Sequence, residues 1–240
     1  MKRAAAPMAA AVAAALTVLG VGVGAQPSRM PAGDNAMGHV GSAACAGCHA
    51  DQSAAWQVSH HARAMADIST AKADFSGHVG TGDNGAALAR GPDGPEVAIR
   101  DADGTLRHHR LSHALGVEPL QQYLVPRENG ALQVFGWSWD TRAKEDGGQR
   151  WFQIYDEDRT RLGQPLHWSG RDQTFNFMCA DCHVTGYRKA YDPVARRYHS
   201  TWSEMGVGCE GCHGPGRDHL AWAARSIADR ATDPRRGLAW

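Results

Sequence analysis

All six cysteines and three of the thirteen histidines fall into one repeated pattern. The segments are Cys45-Ala46-Gly47-Cys48-His49, Cys179-Ala180-Asp181-Cys182-His183 and Cys209-Glu210-Gly211-Cys212-His213. Two thiols two residues apart on a helical turn can form thioethers to the two vinyl groups of one porphyrin. The adjacent histidine then projects under the ring and supplies an iron ligand. Chance gives on the order of 0.01 such pentapeptides in a chain of this composition. Three disulfides would suit an exported protein but give no reason for a histidine after each pair. A zinc site would join two pairs and orphan the third, and a thioredoxin-like pair would occur once beside a βαβ pattern. The pattern predicts three covalent c-type haems, with Cys45, Cys48, Cys179, Cys182, Cys209 and Cys212 as thioether donors and His49, His183 and His213 as proximal ligands.

The occupant of each sixth iron position separates a carrier from a catalyst. Ten histidines remain for it: His39, His60, His61, His78, His108, His109, His113, His167, His199 and His219. His60 and His61 follow Trp56 on an expected helix, and His60 is eleven residues beyond His49, about 16 Å at 1.5 Å per residue. That reach suits a different haem. His219 follows His213 by six residues across the turn Gly214-Pro215-Gly216, too few to wrap around its own porphyrin. Cross-ligation is therefore expected, each histidine closing a neighbour's iron. His60 or His61, His219, His167 and His78 are the candidate distal ligands. His108 and His109 lie in an alternating run and point to opposite faces; both are expected to be solvated. His39, His113 and His199 are expected to have no iron role. Met65 and Met205 are further possible ligands, whereas Met178 abuts Cys179 and packs.

Lys2 and Arg3 precede an Ala-rich apolar run, Met8 to Val23, and Val23-Gly24-Ala25 places small residues before Gln26. This is the pattern of an export signal over residues 1–25, followed by a leader over residues 26–41 expected to be mobile. The compartment is then periplasmic, where haem attachment takes place. The chain has 240 residues, with Lys+Arg 25 and Asp+Glu 25. Zero net charge argues against nucleic-acid binding. No run after residue 25 approaches the length of a membrane span.

The motifs are unevenly spaced, so something other than haem must organise the gap between the first and second. Residues 96–155 read as strands. Asp101-Ala102-Asp103-Gly104 and Glu128-Asn129-Gly130 are hairpin signals, and Trp137, Trp139, Trp151 and Trp168 fill the sheet core or pack on a haem. Asp83-Asn84-Gly85 and Arg90 to Pro95 read as loops, and Tyr187 to Met205 as a loop or hairpin. The expected fold class is α+β: an irregular multihaem cytochrome c with short helices around haems and a small antiparallel β insert. The haem domain spans residues 42–222, with a helical tail over 223–240.

The phrases Trp56-x-x-Ser59-His60-His61-Ala62-x-Ala64-Met65, Gly116-Val117-Glu118-Pro119-Leu120-Gln121-Gln122-Tyr123-Leu124-Val125 and Pro165-Leu166-His167-Trp168-Ser169-Gly170 resemble one family. So do Asn176 to His183, Cys209 to Gly216, and His219. It is the exported multihaem cytochromes c with a cytochrome c-552/4-type haem domain, often followed by tetratricopeptide repeats; none is seen in this sequence. The resemblance covers about Ser42 to Trp222. It implies haem-borne electron transfer and adds weight to His61, His167 and His219 near iron. The leading expectation is a periplasmic carrier serving redox partner proteins. Its alternatives are a multihaem reductase or peroxidase with one open iron, served by Arg171, Asp172, Tyr187 or Arg188, and a docking module built on the Trp-rich sheet.

Overall fold

The computed structural model describes residues 37–238. The expected signal segment and residues 26–36 of the leader lie outside the described residues. Short helices and antiparallel sheets alternate along the chain, an α+β architecture. After a single 3₁₀ turn, Ser42–Ala44, comes α1 (Ala50–Gln57). Ten strands follow: β1 (Met65–Asp67), β2 (Gly77–Val79), β3 (Ala86–Gly91), β4 (Gly94–Arg100), β5 (Leu106–Arg110), β6 (His113–Leu115), β7 (Leu120–Pro126), β8 (Leu132–Val134), β9 (Ser138–Asp140) and β10 (Arg150–Phe152). Beyond β10 lie α2 (Glu157–Thr160), α3 (Phe175–Met178), α4 (Ala180–His183), α5 (Cys209–His213), α6 (Arg217–Ala223) and α7 (Ile227–Ala231). Among these lie the two-residue strands β11 (Val184–Thr185), β12 (Tyr191–Asp192), β13 (Arg197–Tyr198) and β14 (Glu204–Met205).

One sheet runs β1-β6-β7-β9-β10, with β8 also on β7; the other runs β2-β3-β4-β5. Strand pairing thus begins at Met65, well before residue 96. The stretch Arg90 to Pro95 is a hairpin joining β3 to β4, with Gly91 opposite Gly94, where a loop is expected from sequence. The β4–β5 and β7–β8 hairpins turn at residues 101–105 and at Asn129-Gly130.

Strand β7 explains how two cores share one sheet. Successive side chains of a strand point to opposite faces. Tyr123 and Val125 enter one cluster with Phe75, Phe135, Trp139 and Trp168. Leu124 enters another with Met65, Phe175, Val184 and Trp202. In the first cluster Trp151 meets the edges of Phe75, Tyr123, Phe135 and Trp139 at centroid distances of 5.4–5.9 Å, a favourable aromatic arrangement. The second cluster joins the sheet to the helices around the second cysteine motif, since Cys179 packs against it.

Three other expectations change. His60 and His61 lie in a turn, because α1 ends at Gln57 and Ser59 Oγ donates to the Trp56 carbonyl at 2.6 Å. Hydroxyls placed this way compete with helix continuation. The tail expected to be helical over 223–240 holds one short helix, α7, set off from α6 before Ser226, whose side chain caps α7 by accepting from Asp229 N–H. The described end of the leader is fixed: His39 is buried, and Val40 and Gly41 donate to Glu210.

Candidate functional site

Each cysteine motif rests on a helical turn. His49 N–H donates to the Cys45 carbonyl at 3.0 Å, and His49 caps α1. Cys179 separates α3 from α4, whose last residue is His183. Cys209 to His213 are α5 itself. Residues three apart on such a turn share a face, so the two thiols of each motif project together. In all three the first cysteine is half-buried and the second exposed.

The chain brings the first and third motifs together. Ser42 Oγ donates to Glu204 at 2.7 Å and accepts from Cys209 N–H at 2.9 Å. Burial pushes the Cys45 thiol up to about 11, helped by the neighbouring Cys209 thiol and by Glu210 and Glu204. Glu210, inside the third motif, is 5% exposed. Its carboxylate accepts from Val40 N–H at 2.8 and 3.0 Å, Gly41 N–H at 2.8 Å and Gly216 N–H at 2.6 Å. A Cβ at Gly216 would stand 2.9 Å from Val40 Cγ2, so a side chain there would push Val40 aside. The imidazoles of His49 and His219 come within 6.2 Å, centroid to centroid, their planes inclined by 30°. His219 Nδ1 donates to the Arg236 carbonyl at 2.8 Å, and its ring stacks on Trp222.

The second motif is tied in through β11 and β14, which pair Val184 with Met205. His183 Nδ1 donates to the Ala64 carbonyl at 2.7 Å. Gly206 N–H donates to the His183 carbonyl at 3.1 Å, and Val207 N–H to the His61 carbonyl at 2.8 Å. Gly206 has φ +79°, and a Cβ there would lie 2.5 Å from the Ala62 carbonyl. The His60–His61 turn therefore lies against the loop joining the second motif to the third, and both histidines are exposed. Burial holds the Cys179 thiol above its ordinary range. Exposed Val58, Phe177, Met178, Met205 and Leu220 place apolar surface near the motifs in sequence.

The other candidates lie elsewhere. His78 is exposed on β2, opposite Ala87. His167 is 1% exposed, with Nδ1 2.7 Å from Ser169 Oγ and Nε2 unpartnered. Burial lowers its pKa, with Asp83 and Asp101 opposing. His108 is exposed on β5, but His109, read as solvated, is half-buried beside Trp168, with Nε2 3.4 Å from Asp101. His113, expected to have no iron role, is desolvated on β6 and meets Trp202 edge-on at 6.2 Å. Of the residues considered for an open catalytic site, Arg171 pairs with its neighbour Asp172 at 3.0 Å, and Tyr187 donates to the Asn176 carbonyl at 2.6 Å. Sequence reading passed over Glu204 and Glu210. The available signal was a carboxylate between two cysteines just ahead of a Gly-Pro-Gly turn.

The family described as cytochrome c554 and c-prime matches residues 44–87 and 142–214. The unmatched interval, residues 88–141, holds β4 to β9 and most of β3. The crystal structure of outer cell wall cytochrome OcwA is similar over 77% of this chain and 33% of its own, at 22% identity and a TM-score of 0.47. The chain thus spans about a third of that structure. No curated protein matches the chain. The two matched intervals contain all three Cys-x-x-Cys-His segments, and the chain belongs to the cytochromes c with a c554-type domain, whose cofactor is covalently bound haem c.

Proposed function

We propose that this haem-based electron carrier is exported to the periplasm and passes electrons between redox partner proteins through three haems. One observation carries the reading: the first and third Cys-x-x-Cys-His turns lie side by side, the second is tied to the third through β11 and β14, and the His219 ring faces that of His49. Each bound haem supplies an iron that gains and loses one electron.

The six cysteines hold the haems as thioethers, and His49, His183 and His213 are the proximal ligands. His219 closes the iron of the first motif. The rings of His49 and His219 lie 6.2 Å apart, centroid to centroid, with planes inclined by 30°, and this pair would hold the iron of the first motif between them. A ligating histidine commonly donates its other N–H to a carbonyl, which fixes the tautomer and orients the ring. His183 and His219 both have Nδ1 engaged with a carbonyl, leaving Nε2 for iron. His60 or His61 closes one of the two remaining irons, a role supported by the contact of their turn with residues 206–207. The adjacency of Cys45 and Cys209 favours close approach of the first and third porphyrins and electron hopping between them. Export is supported by the basic residues and apolar run of residues 2–23.

The test is the mass and spectroscopy of protein matured in a host that attaches c-type haem. Three haem additions, low-spin resonances only, and a reduced spectrum indifferent to carbon monoxide are expected. A colourless product at the bare peptide mass overturns the reading, and carbon monoxide binding by one haem replaces the closed carrier with an open-site enzyme.

A further inference from the structure

Glu210 lies in the third haem motif, yet its carboxylate contacts are with the segments that serve the first. Val40 and Gly41 lead directly into the turn that carries Cys45, Cys48 and His49. Gly216 caps the start of α6, which carries His219. One buried carboxylate receives N–H donors from both sides at 2.6–3.0 Å. Arg217 N–H donates to the Gly38 carbonyl at 3.0 Å, so the two segments also touch without it. We infer that Glu210 is the positioning residue of the first iron: its carboxylate sets the separation of His49 and His219 from within a neighbouring motif. This rests on the ligation proposed above.

A carboxylate suits the place because it is acceptor-only and offers two oxygens. Both are used, Oε1 by Val40 and Gly216 and Oε2 by Val40 and Gly41. Glutamine has one acceptor oxygen, so its NH₂ group would face a buried N–H on one side, and that segment must move. Buried charge-assisted hydrogen bonds of this kind are the strong ones.

The experiment compares the wild-type holoprotein with Glu210→Gln and His219→Ala by mass, electron paramagnetic resonance and carbon monoxide difference spectra. In Glu210→Gln all haems stay attached. About a third of the haem becomes high-spin and binds carbon monoxide, as expected when one of three irons loses an axial ligand. His219→Ala gives the same spectrum, and combining the two changes adds little, as expected of residues acting through one contact. The inference is overturned by a Glu210→Gln protein whose irons all remain low-spin and closed, or by a double variant in which a second iron opens. Wild-type protein without attached haem refutes the underlying ligation instead. Glu210→Ala is the harsher change; where it fails to mature, the glutamine variant still decides.

Discussion

The cysteine-bearing layer and the two β-sheets hold together by different means. Within the layer, helices of four to eight residues and paired strands of two are fixed by side-chain hydrogen bonds to backbone: Glu210 to residues 40, 41 and 216, Glu204 to residue 42, and the Trp56 indole to Val207 at 2.8 Å. The sheets have longer strands and a cluster of interlocking aromatic rings. Side-chain contacts give the sheets a core of their own, whereas the cysteine-bearing region shares the second cluster through Phe175, Ala180, Val184 and Trp202 and relies elsewhere on polar ties. The family match follows this division, leaving most of the sheets outside.

Three perturbations would break or sharpen that contrast. The largest is Phe135→Ala. Phe135 is 0% exposed and meets Trp151 edge-on at 5.9 Å, and truncation of a buried phenylalanine costs about 3–5 kcal/mol. Urea unfolding followed by tryptophan fluorescence should move to lower denaturant, while haem absorbance in dilute urea stays unchanged. Equal loss by both probes would show that the two regions unfold as one.

Asn176→Ala probes the joint. Asn176 is 1% exposed, accepts from Leu132 N–H at 2.7 Å and donates to Ser200 Oγ at 2.9 Å. Leaving those groups unpaired should cost about 1–3 kcal/mol. Both probes should shift together here, and a shift confined to fluorescence would assign Asn176 to the sheets alone.

The smallest effect is that of pH. Burial lowers the pKa of His109 and His113, with Asp101 and Asp67 opposing in part. The unfolded chain takes up these protons near pH 6.5, before the folded sheets do. Stability from these groups is therefore complete above that pH and declines as the pH falls through it toward the folded values. The urea midpoint by fluorescence should drop between about pH 7.5 and 5, and His113→Gln should flatten the slope. A midpoint that rises on acidification contradicts this assignment.

The motifs were legible because covalent attachment imposes a fixed spacing, and the β7–β8 turn because Asn129-Gly130 supplies the backbone it needs. Strands β1 and β2 were not. Met65-Ala66-Asp67 and Gly77-His78-Val79 carry little strand preference of their own and are extended because β6 and β3 pair with them, a context effect. The His60–His61 turn escaped for a local reason, the Ser59 hydroxyl. Glu210 escaped for a distant one: its partner Val40 is 170 residues away, and no window along the chain contains both.

That separation has a consequence for biogenesis. Residues leave the ribosome from the N-terminus onward. The earliest cysteine pair therefore emerges long before α6, the helix on which its facing imidazole sits. Closing so large a loop is entropically costly, so the first cysteine pair to appear must wait for the C-terminal residues before its surroundings are complete.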